Sequence, residues 1–324
     1  MTSETVTATD EWSYRGNRAV VLENEYLKLS VFPELGAKIY DILYKPFRRN
    51  LLWHHPRIYP HKVPLGTSFD DVWCGGWDEI FPNDAPCIVE GQRYHDMGEA
   101  WSIPWEYSIA RDTDTGTVTL FTTTMTPIMA CKLTRALTIR DGEPSVYFRY
   151  VLENTGYDAL KFLWKIHPAF QINESCRIEI PARTGIVDPR YRDLYSESSN
   201  TYRWPKVNNR QGETIDLSRV PPPTARTCSL HYVTDLDDGV VTLQNPRDNI
   251  DLKIRFNKQI LNTVWLFLAY GGYRSLYTAV IEPSTSYPYD LAQAISEGHY
   301  SRLEPGKQLN CDIDVQLSEH FNSP

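Results

Sequence analysis

Runs in which apolar and polar residues alternate recur along most of the chain, and a period of two is typical of half-buried β-strands. In residues 27–31, for example, Leu-Lys-Leu-Ser-Val places every second side chain on one face. The runs follow one another closely, and 22 Pro and 17 Gly punctuate the sequence. A parallel α/β sheet would need helical patterns between its strands, and these are missing. The chain is therefore predicted to be all-β, a large antiparallel β-sandwich with few short helices.

Two local patterns sharpen this prediction. Residues 133–139 and 146–152 alternate on either side of an Asp-Gly turn, and the second run stops at Asn-Thr-Gly, which predicts a β-hairpin. The one helix that the sequence supports is residues 291–296, ended by Gly298. The other predicted strands are residues 20–22, 26–32, 117–121, 160–166, 240–243, 252–256, 264–269, 279–281 and 311–317.

The length of 324 residues allows one large core, and we interpret residues 1–324 as a single domain. The three prolines at 221–223 are the best candidate for a domain boundary, although a rigid surface loop is the interpretation we prefer. Weak periodicity at 50–100 and 182–232 predicts long loops, where binding residues tend to lie.

Composition excludes several classes of function. The net charge is −8 and no basic patch is present, so nucleic acid is not expected as a partner. No run approaches the ~20 apolar residues that cross a bilayer, and the N-terminus lacks a signal peptide, so we expect a cytoplasmic protein. The six Cys are scattered without a CxxC pair, which favours reduced thiols over a zinc site. The aromatic content of 12%, with nine Trp, suits either a core or a sugar-binding groove.

Two ionisable residues stand at the ends of apolar runs, where burial can tune their pKa. If residues 162–167 form a strand, Lys165 and His167 share one face, and Pro168 is expected to end the strand. The lysine would lower the pKa of His167, and a nearby carboxylate would restore the proton. Glu282 follows an apolar strand and precedes a proline. A satisfied core histidine and a salt-bridged strand end are the structural alternatives.

Three further segments carry polar candidates. Residues 73–84 contain Trp77, Asp78 and Glu79, which could contact hydroxyls or a cation or could form a structural turn. Residues 91–105 contain Arg93, His95 and Trp101 in a loop for which solvation is the default interpretation. Arg135 lies on an apolar strand face, so its guanidinium should be paired, either with an acid of the pocket or at the sheet edge.

An ordered series of motifs links these segments. It comprises residues 27–39, the Gly-Trp-Asp-Glu-Ile-Phe-Pro run at 76–82, the hairpin at 133–154, Trp164 with His167-Pro168, Glu282-Pro283, and the closing Leu-Glu-Pro-Gly at 303–306. Over nearly its whole length the chain thereby resembles the aldose 1-epimerase (galactose mutarotase-like) family. The resemblance implies a large antiparallel sandwich with an open sugar cleft, His167 as general acid, Glu282 as general base, and neither metal nor organic cofactor.

The resemblance also implies an isomerase that interconverts the α and β anomers of an aldose, a small-molecule carbohydrate. The candidates for substrate contacts are His95, Arg93, Asp78, Glu79 and Lys165, with Trp77, Trp101 and Trp164 for stacking. One departure concerns Met97, which stands where relatives often carry a histidine before Gly-Glu. If this segment is extended, His95 faces the same way and could substitute for it.

The sequence leaves several functions open. The first is action on a phosphorylated, sulfonated or uronic sugar, for which Arg93, Lys165, Arg183 or Arg135 would supply the cation. Convergence of two of these beside His167 would favour it. The second is a non-catalytic carbohydrate-binding protein on the same scaffold. Hydrolysis ranks lowest because it usually needs a carboxylate pair. The sequence also leaves open a homodimer.

Overall fold

A computed structural model describes residues 6–196 and 200–320. Its strands in the first half of the chain are β1 Thr7–Tyr14, β2 Asn17–Glu23, β3 Leu27–Phe32, β4 Lys38–Tyr44, β5 Arg49–Asn50, β6 Trp77–Ile80, β7 Cys87–Val89, β8 Gln92–Tyr94, β9 Glu106–Asp112, β10 Thr117–Met125, β11 Cys131–Arg140, β12 Ser145–Asn154 and β13 Leu160–Phe162. Those in the second half are β14 Lys165–Phe170, β15 Arg177–Glu179, β16 Ala182–Val187, β17 Thr201–Arg203, β18 Lys206–Asn208, β19 Thr214–Asp216, β20 Thr227–Leu236, β21 Val240–Asn245, β22 Ile250–Phe256, β23 Thr263–Tyr270, β24 Tyr277–Ser284, β25 Ser301–Leu303 and β26 Gln308–Glu319.

Most strands belong to two antiparallel sheets, which confirms the predicted all-β sandwich. The large sheet has 12 strands in the order β1-β2-β3-β4-β6-β14-β24-β23-β20-β16-β17, with β5 paired to β4. The second sheet has 8 strands in the order β15-β21-β22-β26-β12-β11-β10-β9. The predicted hairpin is confirmed as β11 and β12, whose register pairs Cys131 with Asn154 and Ile139 with Val146.

The main core lies between these sheets. Leu27, Leu29 and Val31 of β3 point into it, as the alternation predicts, and Leu133 and Leu137 of the other sheet belong to the same core. The opposite face of the large sheet, which we call its outer face, carries separate apolar clusters rather than open solvent. The large sheet is therefore covered on both sides, and polar side chains on its outer face can be buried.

The described residues also form two short α-helices and three 3₁₀ helices, the latter at Lys45–Phe47, Pro189–Leu194 and Pro223–Ala225. The predicted one is confirmed as α2 Leu291–Glu297, where the Asp290 side chain accepts a hydrogen bond from Gln293 N and Gly298 ends the helix at φ 77°. The other, α1 Phe69–Val72, was not expected, because four residues are too few to show a helical period. Neither is long and apolar enough to cross a membrane.

The predicted strand at 160–166 is wrong in its extent. The chain forms β13 over Leu160–Phe162 and then β14 over Lys165–Phe170, and the two strands belong to different sheets. The expectation that Pro168 ends the strand is also wrong. β14 pairs with β24 at Lys165 and again at Ala169, so the ladder is interrupted around the proline, which has no N–H to donate, and then resumes.

Candidate functional site

A cavity of about 320 Å³ opens on the outer face of the large sheet. Three of the sequence candidates line it, Lys165 and His167 from β14 and Glu282 from β24. The alternation of β14 explains why the first two share this face, because Ile166 between them points into the main core. The sequence prediction that Lys165 and His167 face the same way is confirmed.

Strand register brings His167 and Glu282 together. β14 pairs with β24 through Lys165 opposite Ser284 and Ala169 opposite Val280, and the same register places His167 opposite Glu282. The distance from His167 Nε2 to Glu282 Oε2 is 3.9 Å. Both side chains are buried, with 5% of His167 and 1% of Glu282 exposed. Two groups separated by more than a hundred residues thus face one cavity as neighbours.

Lys165 holds two carboxylates at once. Its Nζ lies 2.5 Å from Glu282 Oε2 and also contacts Asp84, while the ring centroid of Trp265 is 3.9 Å away. Asp84 reaches this position from the loop after β6, where the buried Asn83 side chain donates to the backbone oxygens of Ala85 and His95. One buried cation therefore faces two buried or half-buried anions, so the cluster as a whole carries excess negative charge.

The electrostatics of the site separate the two candidate catalytic groups. Burial raises the pKa of Glu282, Lys165 lowers it and Asp84 raises it by a smaller amount, and the net result is a pKa of about 7. Burial, reinforced by the charges of Lys165 and Lys38, holds the pKa of His167 well below its usual range. The imidazole is consequently uncharged at neutral pH. The expectation that a nearby carboxylate restores the proton of His167 is wrong, because desolvation and two ammonium groups keep its pKa low although Glu282 lies 3.9 Å away.

Aromatic rings enclose the imidazole of His167. Phe69 from α1 and Trp73 stand edge-on to it, with ring centroids at 5.4 Å and 5.7 Å. His167 Nδ1 is buried and has no hydrogen-bond partner among the described residues. The ring is therefore oriented by packing rather than by a protein acceptor.

An arginine held by a carboxylate and an aromatic ring lines another part of the cavity. The guanidinium of Arg190 donates to the buried carboxylate of Asp188 at 2.8 Å and lies 3.4 Å from the ring centroid of Tyr289. The hydroxyl of Tyr232 also donates to Asp188. Because its carboxylate partner is satisfied from two sides, Arg190 presents a rigid planar donor to the cavity.

Four of the predicted substrate contacts lie away from the cavity wall. Asp78 is on the outer face but is enclosed by Lys38, whose Nζ contacts its two oxygens at 2.5 and 2.6 Å. Glu79, Trp77 and Trp164 are buried on the side of the main core, at 1% exposure or less. None of these four residues lines the cavity.

Glu79 is the shared hydrogen-bond acceptor of a small polar cluster inside the main core. Its Oε1 accepts from Arg135 Nη1 at 3.0 Å and from the hydroxyl of Tyr150 at 2.7 Å. The prediction that Arg135 must be paired is confirmed, and its partner is a core carboxylate rather than an acid of the pocket. Asp78 and Glu79 are neighbours on β6, so the alternation of the strand sends them to opposite faces.

The segment at 91–105 also differs from the expectation. Met97 lines the cavity in a left-handed conformation with φ 56°, and the amide of Gly98 donates to His95 O. The segment therefore turns instead of running extended, and His95 does not take the place of Met97 on the cavity wall. Arg93 is exposed on β8, and Trp101 is buried against Phe69 beside the cavity.

Sequence reasoning missed most of the lining. These residues come from loops or from the outer face of strands that are far apart in sequence. Only a few, such as Asp84 and Asp96, lie in segments that the sequence identifies as polar candidates. The residues missed are Phe69, Asp70, Trp73, Asp84, Ala85, Pro86, Asp96, Arg190, Tyr191, Leu230, Trp265, Phe267, Tyr273 and Tyr289.

Neither the cysteines nor most of the predicted cations take part in this cavity. All six cysteines are free, and none of them lines it. Within residues 6–196 and 200–320, no three His, Cys, Asp or Glu side chains form a group that could hold a metal ion. Of the four cations named for an anionic substrate, Lys165 alone lines the cavity.

Comparison with solved structures shows which fold this is. A protein from Klebsiella pneumoniae, provisionally named an aldose 1-epimerase, superposes with a TM-score of 0.74 at 16% identity, covering 96% of this chain and 83% of that one. A galactose mutarotase-like protein from Clostridium acetobutylicum gives 0.66 at 11% identity, with 98% and 100% covered. A galactose mutarotase related enzyme from Lactobacillus acidophilus gives 0.61 at 14% identity, with 93% and 97% covered.

These similarities confirm the resemblance at the level of the fold. No protein-family model matches the chain. At such low identities the shared architecture establishes the galactose mutarotase-like sandwich and leaves the activity to be argued from the site.

Proposed function

We propose that this protein interconverts the α and β anomers of an aldose, with Glu282 and His167 as the acid/base pair. The observation that carries the proposal is their position opposite each other on β14 and β24, 3.9 Å apart in an open cavity. A carboxyl with a pKa of about 7 can accept and release a proton near neutral pH. The fold is that of proteins named as mutarotases, which supports the proposal by analogy alone.

The proposed reaction needs two proton transfers and no other chemistry. Glu282 takes the proton of the anomeric hydroxyl, the electron pair of that O–H bond forms the aldehyde carbonyl, and the C1–O5 bond breaks. The ring oxygen receives a proton from His167. Rotation about the C1–C2 bond and reclosure by the reverse steps give the other anomer, with both groups returned to their starting state.

The order of the two pKa values has a consequence for this mechanism. Because the pKa of Glu282 is about 7 and that of His167 lies well below 6.5, a single proton on the pair resides on Glu282. The reactive form has that proton on His167 instead and is the minor tautomer of the same singly protonated pair. We therefore expect the rate to fall as the pH rises through about 7, where the pair loses its proton.

The charges of the cavity favour an uncharged sugar over an anionic one. Its lining contains four carboxylates, those of Asp70, Asp84, Asp96 and Glu282, against the cations Lys165 and Arg190. Lys165 already contacts two of the carboxylates, and Arg190 is bound to Asp188. A phosphate, sulfonate or carboxylate would enter a site whose lining has more carboxylates than cations and whose two cations are each already paired with a carboxylate. The anionic-sugar hypothesis thus loses its structural support.

The substitution Glu282→Gln tests the assignment because it removes the base and keeps the shape of the side chain. We expect the acceleration of anomer exchange, followed by polarimetry or NMR across a panel of freshly dissolved sugars, to fall by about 10²–10⁴-fold while sugar binding is retained. The exposed Glu304→Gln serves as the matched control and should leave the rate unchanged. An unaltered rate in Glu282→Gln would refute the proposal, and sugar binding by the native protein without acceleration would favour a non-catalytic binding protein.

A further inference from the structure

A second concavity on the outer face of the large sheet has the lining of a ligand site. It has a volume of about 470 Å³ and lies over β1 to β4, at the opposite end of the strand order from β20. We call it the aromatic groove and define it by Trp12, Tyr14, Tyr40, Asp41, Asn50 and His54. Its size falls within the range of about 300–1,000 Å³ that is usual for small-molecule sites.

The aromatic side chains of the groove are unusually open. Trp12 is 57% exposed and Tyr14 is 39% exposed, whereas every one of the other eight tryptophans of the chain is buried. Deeper in the groove, Tyr40 is 6% exposed and Phe32 is 1% exposed. The walls thus offer apolar ring surface to whatever enters, and leaving a tryptophan in water forgoes the stabilisation that its burial would give.

A polar cluster at one end of the groove is held in place by its own contacts. The side-chain amide of Asn50 donates to Asp41 Oδ1 at 2.9 Å, and its oxygen accepts from Ile42 N at 3.0 Å. The His54 ring stacks on Tyr40 with centroids 3.7 Å apart and places Nε2 2.8 Å from Tyr40 O. A carboxylate, an amide and an imidazole are therefore fixed beside the aromatic walls, and Asp41 remains about one-third exposed.

We propose that the aromatic groove is a second saccharide-binding site that takes neutral sugars. Aromatic faces pack on the C–H faces of a pyranose, and planar polar side chains hydrogen-bond to its hydroxyls, so the two kinds of surface match the two kinds of group on a sugar. The charges of Lys28 and Asp41 within the groove oppose each other, which favours an uncharged ligand. A lipid or protein face would not need the fixed polar cluster.

The groove is separate from the cavity that contains His167. From β3 to β14 the sheet order runs through β4 and β6, so three strand spacings of ~4.8 Å place the sites roughly 14 Å apart. Trp53 lies between them, packed on Trp73 of the cavity at 5.1 Å, while the adjacent His54 lines the groove. Binding in the groove therefore does not depend on the proposed anomer exchange.

Trp12 supplies the readout, because it is the exposed tryptophan of the chain. Acrylamide should quench its emission, and methyl glucoside, glucose, galactose or maltose bound in the groove should protect it in a saturable manner. We expect this protection to persist in Glu282→Gln.

Calorimetry measures the affinity of the groove for the same sugars. That affinity should weaken at least about tenfold in Tyr14→Ala and Trp12→Ala, while the rate of anomer exchange stays unchanged. Tyr157→Ala is the matched control, since Tyr157 is 99% exposed outside the groove.

Two results would overturn the proposal. One is the absence of protection by every sugar of the panel at concentrations up to about 100 mM. The other is concentration-dependent self-association that Trp12→Ala abolishes while sugars have no effect, because a second copy of the chain would then cover the groove. The two proposals can fail separately. If Glu282→Gln loses anomer exchange and no sugar protects Trp12 from acrylamide, the second site is rejected and the catalytic assignment stands.

Discussion

Two buried lysines flank His167, and they are paired in different ways. On one side, Lys38 Nζ contacts the two oxygens of Asp78 and donates to Gly75 O at 3.0 Å. On the other, Lys165 is shared between Asp84 and Glu282 at the wall of the cavity. The first is a closed one-to-one pair, whereas the second leaves one negative charge in excess.

This difference separates a structural ion pair from a reactive one. In the closed pair, burial raises the pKa of Asp78, and Lys38 opposes that rise from 2.5 and 2.6 Å with no second carboxylate to share it. In the open cluster the excess charge can be relieved by a proton, and the pKa of Glu282 is raised to about 7. Burial is the largest cause of the raised pKa of Glu282, and the second carboxylate on Lys165, Asp84, adds to it, so burial and the sharing of one cation together poise Glu282 for catalysis.

The largest effect is expected where the closed pair is broken. Asp78→Ala leaves the ammonium of Lys38 buried without a counter-ion, which should lower the free energy of unfolding by about 3–5 kcal/mol. Urea unfolding followed by circular dichroism measures this loss. The paired substitution Lys38→Met with Asp78→Leu is the control, and it should recover most of the stability because no buried charge remains. If Asp78→Ala lowers the free energy of unfolding by less than about 1 kcal/mol, the Lys38–Asp78 pair is hydrated. The contrast between a closed pair and an open cluster would then fail.

The open cluster should respond in its pH profile more than in its stability. Lys165→Met removes the cation that lowers the pKa of Glu282, so that pKa should rise above 7 by about 1–3 units. Because the proposed reactive pair holds one proton, the fall in rate at alkaline pH should move upward by the same amount. The measurement is the rate of anomer exchange at saturating sugar, taken at about ten pH values from about pH 5 to about pH 10.

Lys165→Arg is the matched control for that variant, since it keeps the charge and should hold the alkaline midpoint near its native position. An unmoved midpoint in Lys165→Met would mean that Lys165 does not set the ionisation of Glu282. A native rate that rises through pH 7 instead of falling would contradict His167 as the proton donor and leave Glu282 acting alone.

The same comparison explains what the sequence could and could not predict. Alternation correctly placed Lys165 and His167 on one strand face, and it correctly required a partner for Arg135. Alternation also implies that Asp78 and Glu79 point to opposite faces, yet both were expected to contact the sugar. Their true partners, Lys38 and Arg135, lie about 40 and 56 positions away in sequence, and no local pattern announces such pairings.

The cavity was predictable only where strands supply it. His167 and Glu282 follow from apolar runs and from the family resemblance, because a strand has a regular period. Asp84, Arg190 and Tyr273 come from segments between strands, whose course depends on tertiary contacts rather than on period. The turn at Met97 shows the same limit, since its left-handed backbone removes His95 from the cavity wall.

The smallest effect should come from Asp84, the second carboxylate on Lys165. Asp84→Asn removes the charge that raises the pKa of Glu282 and frees Lys165 for Glu282 alone, so both changes lower that pKa. The alkaline midpoint of anomer exchange should move below 7 by roughly one unit or less, opposite in direction to Lys165→Met. Asp70→Asn is the matched control, because Asp70 also lines the cavity but contacts Tyr273 and Arg274 rather than Lys165. Equal shifts in the two aspartate variants would mean that the general charge of the cavity, and not the sharing of Lys165, sets the ionisation of Glu282.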